Sequence, residues 1–271
     1  MPELPEVETT RRGIAPHIEN NTIEKIVVRN RSLRWPIPNG LNSKLKQQKI
    51  QSVSRRGKYL LLKTEAGTLI LHLGMSGSMR IVPTNTPAEK HDHFEIQFKN
   101  GICCRLRDPR RFGAVLFTRE DPLQHKLLVN LGPEPLDKVF NEQYLFEKSR
   151  KRKTTVKQFI MDSKIVVGVG NIYASESLFL AGIHPKRLAG KISRERYTLL
   201  TKAIKQILSE AIQQGGTTLK DFTASDGKPG YFKQKLKVYD RAGEPCLICK
   251  KPIKQVTLGQ RSTFYCAHCQ K

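Results

Sequence analysis

No stretch of this 271-residue chain approaches the ~20 consecutive apolar residues that a membrane-spanning helix needs. A secretory start is also missing. The first eight residues, MPELPEVE, hold three glutamates and no lysine, where a signal has a basic head and an apolar middle. There is no internal repeat. Acidic residues are scarce: 24 Asp and Glu stand against 48 Lys and Arg, giving a net charge of +24 and a pI near 10.0. A field of that sign draws polyanions. Charge alone leaves a ribosome-associated protein and a DNA enzyme level. Cysteine is nearly confined to the tail, with four of six in the last 26 residues. With no secretory signal, that clustering suggests a reducing compartment and a metal site, not a disulfide scaffold. Cys103 and Cys104, neighbours in a strand-like run, are expected to be two reduced thiols.

The segment LPEVETTRRGIAPHI reads as a helix: Pro5 suits its first turn, and Glu3, Glu6 and Glu8 suit the positive end of its dipole. From residue 23 to about 120 the pattern turns to strands, punctuated at EAG 65–67 and KNG 99–101. This predicts an antiparallel sandwich or a flattened barrel. NLGPEPLD at 130–137 reads as a linker, and residues 142–214 carry helical spacing, as in RYTLLTKAIKQILSEAI. Residues 215–231, polar and glycine-rich, read as a mobile loop.

Cys246-x2-Cys249, sixteen residues, then Cys266-x2-Cys269 is a zinc pattern. Each pair offers two thiolates from a tight turn, and four thiolates meet zinc's tetrahedral preference. Because such a site leaves no position for water, one structural zinc is expected. The residues between the pairs alternate like two strands, predicting a hairpin turning at Leu258–Gln260 with Arg261 near its tip. His268 is available as a competing ligand, but four sulfurs make it unnecessary.

The start, Pro2-Glu3-Leu4-Pro5-Glu6, has its own chemistry. Once Met1 is removed, Pro2 exposes a secondary amine with a pKa of ~8, against ~10.4 for lysine. Attack by that amine on an aldehydic sugar carbon gives an iminium, an electron sink that favours loss of phosphate. Glu3 next door can shuttle the proton. While Met1 remains, the Pro2 nitrogen is an amide and cannot react. In DPRRFG, Arg110 and Phe112 occupy a loop framed by Pro and Gly. Arg-x-aromatic there suits base flipping: the ring wedges into the stack and the guanidinium meets the orphaned base. The run 150–153, Arg-Lys-Arg-Lys, followed by Lys157, reads as one side of a phosphate clamp. Gly168 and Gly170 permit a tight turn, with Asn171 capping the next helix as a phosphate site.

Five motifs occur together and in order: MPELPEVET, SRRGKYL at 54–60, DPRRFG at 108–113, VVGVGNIYASE at 166–176 and the cysteine finger. Over its whole length the chain resembles the formamidopyrimidine-DNA glycosylases, bacterial enzymes that excise 8-oxoguanine and ring-opened purines and then cut the strand. The resemblance implies an α+β multidomain fold. Its parts are an N-terminal helix with an antiparallel β-sandwich (1–130), a helical domain with a helix–two-turn–helix motif and the 215–231 lesion-capping loop (131–236), and a zinc finger (237–271). It implies that Pro2 is the nucleophile, with Glu3 beside it and Glu6 supporting the pocket. Lys58 becomes the proton donor for β-elimination and Arg261 for δ-elimination. Met75 joins Arg110 and Phe112 in filling the emptied stack, and His91, Arg152, Lys157 and Asn171 contact DNA. The expected partner is duplex DNA carrying oxidised purines, bound by a monomer in the bacterial cytoplasm at the nucleoid. Two alternatives are an endonuclease VIII-type glycosylase for oxidised pyrimidines and a zinc-finger DNA-binding protein without catalysis. Leu4, where the former tends to carry glycine, and the long 215–231 loop favour the purine enzyme. The latter leaves PELPE unexplained.

Overall fold

A computed structural model describes residues 2–216 and 236–271, which form two compact units, the first of residues 2–129 with 214–216 and the second of 130–213 with 236–271. Met1 and most of the expected capping loop (217–231) lie outside the described residues.

The first unit opens with helix α1 (Leu4–Ile18). Its Leu4, Val7, Ile14 and Ile18 share one buried stripe, and Pro5 takes the first turn, where its missing N–H costs nothing. The strands follow as β1 (Ile23–Val28), β2 (Ser52–Arg56), β3 (Tyr59–Thr64), β4 (Gly67–His72), β5 (Ser78–Pro83), β6 (Asp92–Phe98), β7 (Ile102–Arg107) and β8 (Ala114–Thr118). They form two four-stranded antiparallel sheets, β1-β6-β7-β5 and β2-β3-β4-β8. Of the two arrangements the sequence allowed, the chain adopts the sandwich. Alternation fills its core: Leu60, Leu62, Leu69, Leu71 and Val115 of one sheet share a cluster with Ile26, Phe94, Ile96, Cys104 and Leu106 of the other. Cys103 and Cys104 are both free and buried; burial pushes the Cys103 thiol up to about 11 and that of Cys104 still higher, so both stay protonated. One element was not foreseen, a short helix α2 (Leu41–Leu45) inside the stretch read as strands. It buries Leu41 and Leu45, two apolar residues too few to register as a helical period.

The second unit holds α3 (Glu142–Ser149), α4 (Val156–Met161), α5 (Asn171–Leu180) and α6 (Arg194–Gln213), with the hairpin β9 (Lys254–Leu258) and β10 (Arg261–Tyr265). Helix α6 buries Tyr197, Leu200, Ile204, Ile207, Leu208 and Ala211 and packs on α3 and α5. The presumed linker is tied down. Gly132 donates to the Ser163 carbonyl at 2.8 Å and lies so close to Ile165 that an added Cβ would be 2.7 Å from its backbone.

A charged cluster fastens α1 to the β2-β3-β4-β8 sheet. The Glu8 carboxylate pairs with Arg11 and Arg12 at 2.8 Å and with Arg55 of β2 at 3.1 Å. Burial alone would raise its pKa, but hydrogen bonds from Arg11 and Arg12 and the charges of Arg11 and Arg55 outweigh it and hold the group at about 2. A carboxylate depressed on folding stabilises the fold above its unfolded pKa, and that stability drains away as pH falls from ~4.5 toward 2. Glu8→Gln should therefore cost roughly 1–2 kcal/mol at pH 7, allowing for solvent screening, and flatten the acid limb of the stability curve. Urea denaturation between pH 7 and pH 2.5 checks this; parallel curves for variant and parent would contradict it.

Candidate catalytic centre and nucleic-acid interface

The first turn of α1 places the proposed nucleophile. Glu3 is the N-cap, and its backbone N–H donates to Glu6 Oε2 at 2.8 Å in a capping box. Pro2 is buried, Glu3 is 3% exposed and Glu6 fully buried. Gly216, with a φ of +78°, lies against Glu6: an added Cβ would be 3.0 Å from Glu6 Oε1. Leu4 is also fully buried, so the leucine of PELPE anchors this turn in the core.

Lys58 sits in a two-residue hairpin loop with Gly57, between the paired Arg56 and Tyr59. Gly57 has a φ of +57°, the left-handed conformation that such a tight turn requires at its first position. Next to it, Tyr59 stacks on His72 with ring centroids 4.9 Å apart. Burial first, then the charges of Lys58 and Arg34, push His72 down to about 4, so it is neutral at physiological pH. Its Nδ1 accepts from the Gly74 amide at 2.9 Å, which leaves the proton on Nε2. Sequence reasoning passed over this histidine, although HLGMSG placed it three residues before Met75.

Met75 lies half-buried in the turn between β4 and β5, and Phe112 is 43% exposed in the 108–113 loop. Phe112 is thus no core residue. The Arg110 guanidinium lies over its ring at 5.0 Å. The two turns touch backbone to backbone: an added Cβ on Gly74 would be 2.4 Å from the carbonyl carbon of Phe112. His91 is partly buried at the start of the neighbouring strand, with its ring edge-on to His93 at 6.3 Å. Behind it, Arg105 fixes the 86–92 loop by donating to the Thr86 and Pro87 carbonyls and pairing with Asp92 at 3.3 Å.

In the second unit two expectations change. Lys157 is 1% exposed and does not lie on an open basic face. Its ammonium donates to Asn171 Oδ1 at 2.6 Å, the Ser262 carbonyl at 3.2 Å and Thr263 Oγ1 at 2.7 Å. Asn171 is the first residue of α5 and not its cap. Gly170 takes the cap position, and the Asn171 side chain donates to the Ser262 carbonyl at 2.9 Å. These two residues therefore join both helices to strand β10. The 150–153 run is mixed in the same way. Arg150 is spent on the carbonyls of Phe146 and Ile192 at 3.0 and 2.8 Å, whereas Lys151, Arg152 and Lys153 are exposed. Glu176 is a further anchor that sequence reasoning missed. Fully buried on α5, it accepts the amides of Lys237, Val238 and Tyr239 at 2.8–2.9 Å.

The finger follows the predicted geometry. Leu258 pairs with Arg261 across Gly259 and Gln260, whose φ values of +53° and +61° make the tight turn. Arg261 is exposed beside that turn. The sulfurs of Cys246, Cys249, Cys266 and Cys269 all lie within 4.8 Å of one another, with Cys246–Cys269 at 3.9 Å and Cys249–Cys266 at 3.4 Å. A zinc tetrahedron separates its sulfurs by about 3.8 Å, so the four fit one ion.

Three family models match in order: the formamidopyrimidine-DNA glycosylase N-terminal domain over 1–115, its H2TH domain over 131–223, and a zinc finger found in FPG and IleRS over 243–271. The formamidopyrimidine-DNA glycosylases of Idiomarina loihiensis and Pseudomonas aeruginosa are 59% and 58% identical to the chain over all 271 residues, covering both partners completely. This chain belongs to the formamidopyrimidine-DNA glycosylase family. Its fold matches a Lactococcus lactis FPG mutant in complex with Fapy-dG-containing DNA at a TM-score of 0.91, with 34% identity and full coverage of both chains. The MutM (FPG) protein of Thermus thermophilus matches at 0.89, with 35% identity, covering 99% of this chain and 98% of that one. As a member of this family the chain is a DNA glycosylase of base excision repair, and its finger holds one structural zinc. Among the described residues, no helix is long and apolar enough to cross a membrane.

Zinc ligation and finger docking are separable in this glycosylase. Cys246→Ser should lose the metal and, with it, DNA affinity, because four-thiolate modules fold only around their ion. Lys157→Met should keep the metal yet weaken DNA binding, since it strands buried acceptors worth about 1–3 kcal/mol. Metal analysis with binding titrations checks both, and wild-type affinity in Lys157→Met would remove the docking role.

Proposed function

We propose that the glycosylase excises 8-oxoguanine and formamidopyrimidines from duplex DNA through a Schiff base on Pro2, then cuts the strand by β,δ-elimination. The observation that carries this reading is the buried first turn of α1, where Pro2 and Glu3 are held by the Glu3 amide–Glu6 carboxylate bond. The neutral Pro2 amine attacks C1′, and the glycosidic bond breaks with its electron pair leaving on the base, which takes a proton from water. The amine proton passes through the Glu3 carboxylate to the ring oxygen as the sugar opens to the iminium. Water takes the 2′ proton as the C–H electron pair flows into the iminium. The enamine so formed expels the 3′ phosphate, and a second elimination, with loss of the 4′ proton, expels the 5′ phosphate. Water then hydrolyses the iminium and frees Pro2. Lys58 serves the first elimination as proton donor, and Arg261, on the finger turn, serves the second.

Met75, Arg110 and Phe112 occupy the space of the flipped nucleotide, and His91, Arg152 and Asn171 meet the DNA. The exposed Phe112–Arg110 pair supports the wedge assignment, since a ring left 43% in water has contacts to gain on insertion. Lys157 belongs with this group through the hairpin it holds. The first unit carries Pro2, Glu3, Lys58, the wedge and His91, and the second carries Arg152, Asn171 and the finger with Arg261. The enzyme acts in the bacterial cytoplasm, on the nucleoid. Oxidised purines are preferred to oxidised pyrimidines, in keeping with relatives named for formamidopyrimidine and neighbours bound to Fapy-dG-containing DNA.

Single-turnover assays on 8-oxoguanine and thymine glycol duplexes test this. Glu3→Gln should slow base release ~10²–10⁴-fold with near-normal binding. Lys58→Ala should slow strand cleavage more than base release. Faster cleavage of thymine glycol than of 8-oxoguanine would favour the pyrimidine enzyme; wild-type base release by Glu3→Gln would remove its role.

A further inference from the structure

Beneath the wedge lies a residue that neither the chemistry nor the DNA contacts use. Asp108 is fully buried, and every polar group it has is engaged. Its amide donates to the His91 carbonyl at 3.0 Å; its own carbonyl accepts the Arg111 amide at 3.1 Å and lies 3.0 Å from His93 Nε2. Its carboxylate accepts the Ser76 hydroxyl on Oδ1 at 3.1 Å and the Gly113 amide on Oδ2 at 2.7 Å. Ser76 Oγ in turn accepts the Arg110 amide at 3.3 Å. Two turns 32 residues apart are thus stitched on both sides of one carboxylate.

The junction has no slack. An added Cβ on Gly113 would be 2.8 Å from the His72 carbonyl and 2.9 Å from Asp108 Oδ2, and one on Gly74 would be 2.4 Å from the Gly113 nitrogen. Arg111 is held at a φ of +56°, a strained conformation for a residue with a side chain. Burying a carboxylate among neutral donors is costly. Here the cost secures a loop that must stay rigid while it is forced into a base stack.

We infer that Asp108 and Ser76 are positioning residues for base extrusion: they lock the 74–77 and 108–113 turns into one blade, so that Met75, Arg110 and Phe112 enter the helix together. The inference rests on the reading of those three as the wedge. A loose pair of turns would still present the same side chains, but would yield to the stack before opening it.

The test compares Ser76→Ala, Asp108→Ala, Asp108→Asn and Phe112→Ala in three assays. These are excision from an 8-oxoguanine duplex under single turnover, fluorescence of 2-aminopurine beside the lesion, and borohydride trapping on single-stranded abasic DNA. The last needs no base to be pulled from a duplex. Ser76→Ala and Asp108→Ala should slow duplex excision about tenfold, the loss expected for one or two buried hydrogen bonds. The 2-aminopurine signal should fall with it, while single-strand trapping stays at the parent rate. Asp108→Asn keeps an oxygen for the Gly113 amide and an N–H for Ser76, so it should recover most of both. Parent-like duplex excision in Ser76→Ala and Asp108→Ala beside a defective Phe112→Ala would overturn the inference. So would an Asp108→Asn as impaired as the alanine variant, or single-strand trapping that falls in parallel. A Phe112→Ala with parent behaviour would instead remove the wedge reading beneath it.

Discussion

On the proposed mechanism the chain end reacts, so it has to be held still, and termini are ordinarily the least ordered part of a fold. Here the hold comes from the Glu3 amide donating to the Glu6 carboxylate, in a turn whose neighbours Pro2, Leu4 and Glu6 are buried. The same helix is fastened one turn later by Glu8 to Arg55. A lysine nucleophile would reach a sugar from anywhere in a pocket on four flexible carbons. A terminal proline has no reach, so its position is the position of α1, and α1 in turn depends on the sandwich beneath it. The lower pKa of an α-amino group is the reason for the chemistry proposed at Pro2, and the capping box holds the turn in which Pro2 sits.

The second unit solves a different problem, keeping a small metal module in register with a helix pair. Zinc holds the two knuckles, but it does not orient the hairpin between them. That falls to Lys157 and Asn171, whose side chains meet at the Ser262 carbonyl. The ammonium of Lys157 is bonded inside the protein to the strand that carries Arg261. Loss of this lysine should thus resemble a displaced finger more than the loss of one phosphate contact.

What the sequence revealed depended on how local each feature was. The cysteine pairs, the turn at Gly259–Gln260 and helix α1 are all set by residues within one turn of each other, and each was legible. The Gly57–Lys58 hairpin was not legible, because it lies within one unbroken strand-like run. The internal partners of Lys157 and Arg150 were not legible, because a cation in a basic run looks solvated until its acceptors are known. Those acceptors include carbonyls 105 residues away for Lys157 and 42 for Arg150. Ser76 and Asp108 passed unnoticed because a small polar residue in a turn is ordinary by itself, and only the fold sets the two hydroxyl-to-carboxylate atoms 3.1 Å apart.

The claim on which the account rests is that the covalent bond to DNA forms at the terminal nitrogen of Pro2. Borohydride reduction of the complex with 8-oxoguanine DNA, followed by nuclease and protease digestion and peptide mass spectrometry, reads the attachment point directly. The account predicts a sugar remnant on the nitrogen of a peptide beginning Pro2-Glu3-Leu4, and none in protein that retains Met1. A remnant on Lys58 or another lysine, or an adduct formed by the Met1-retaining protein, would contradict it.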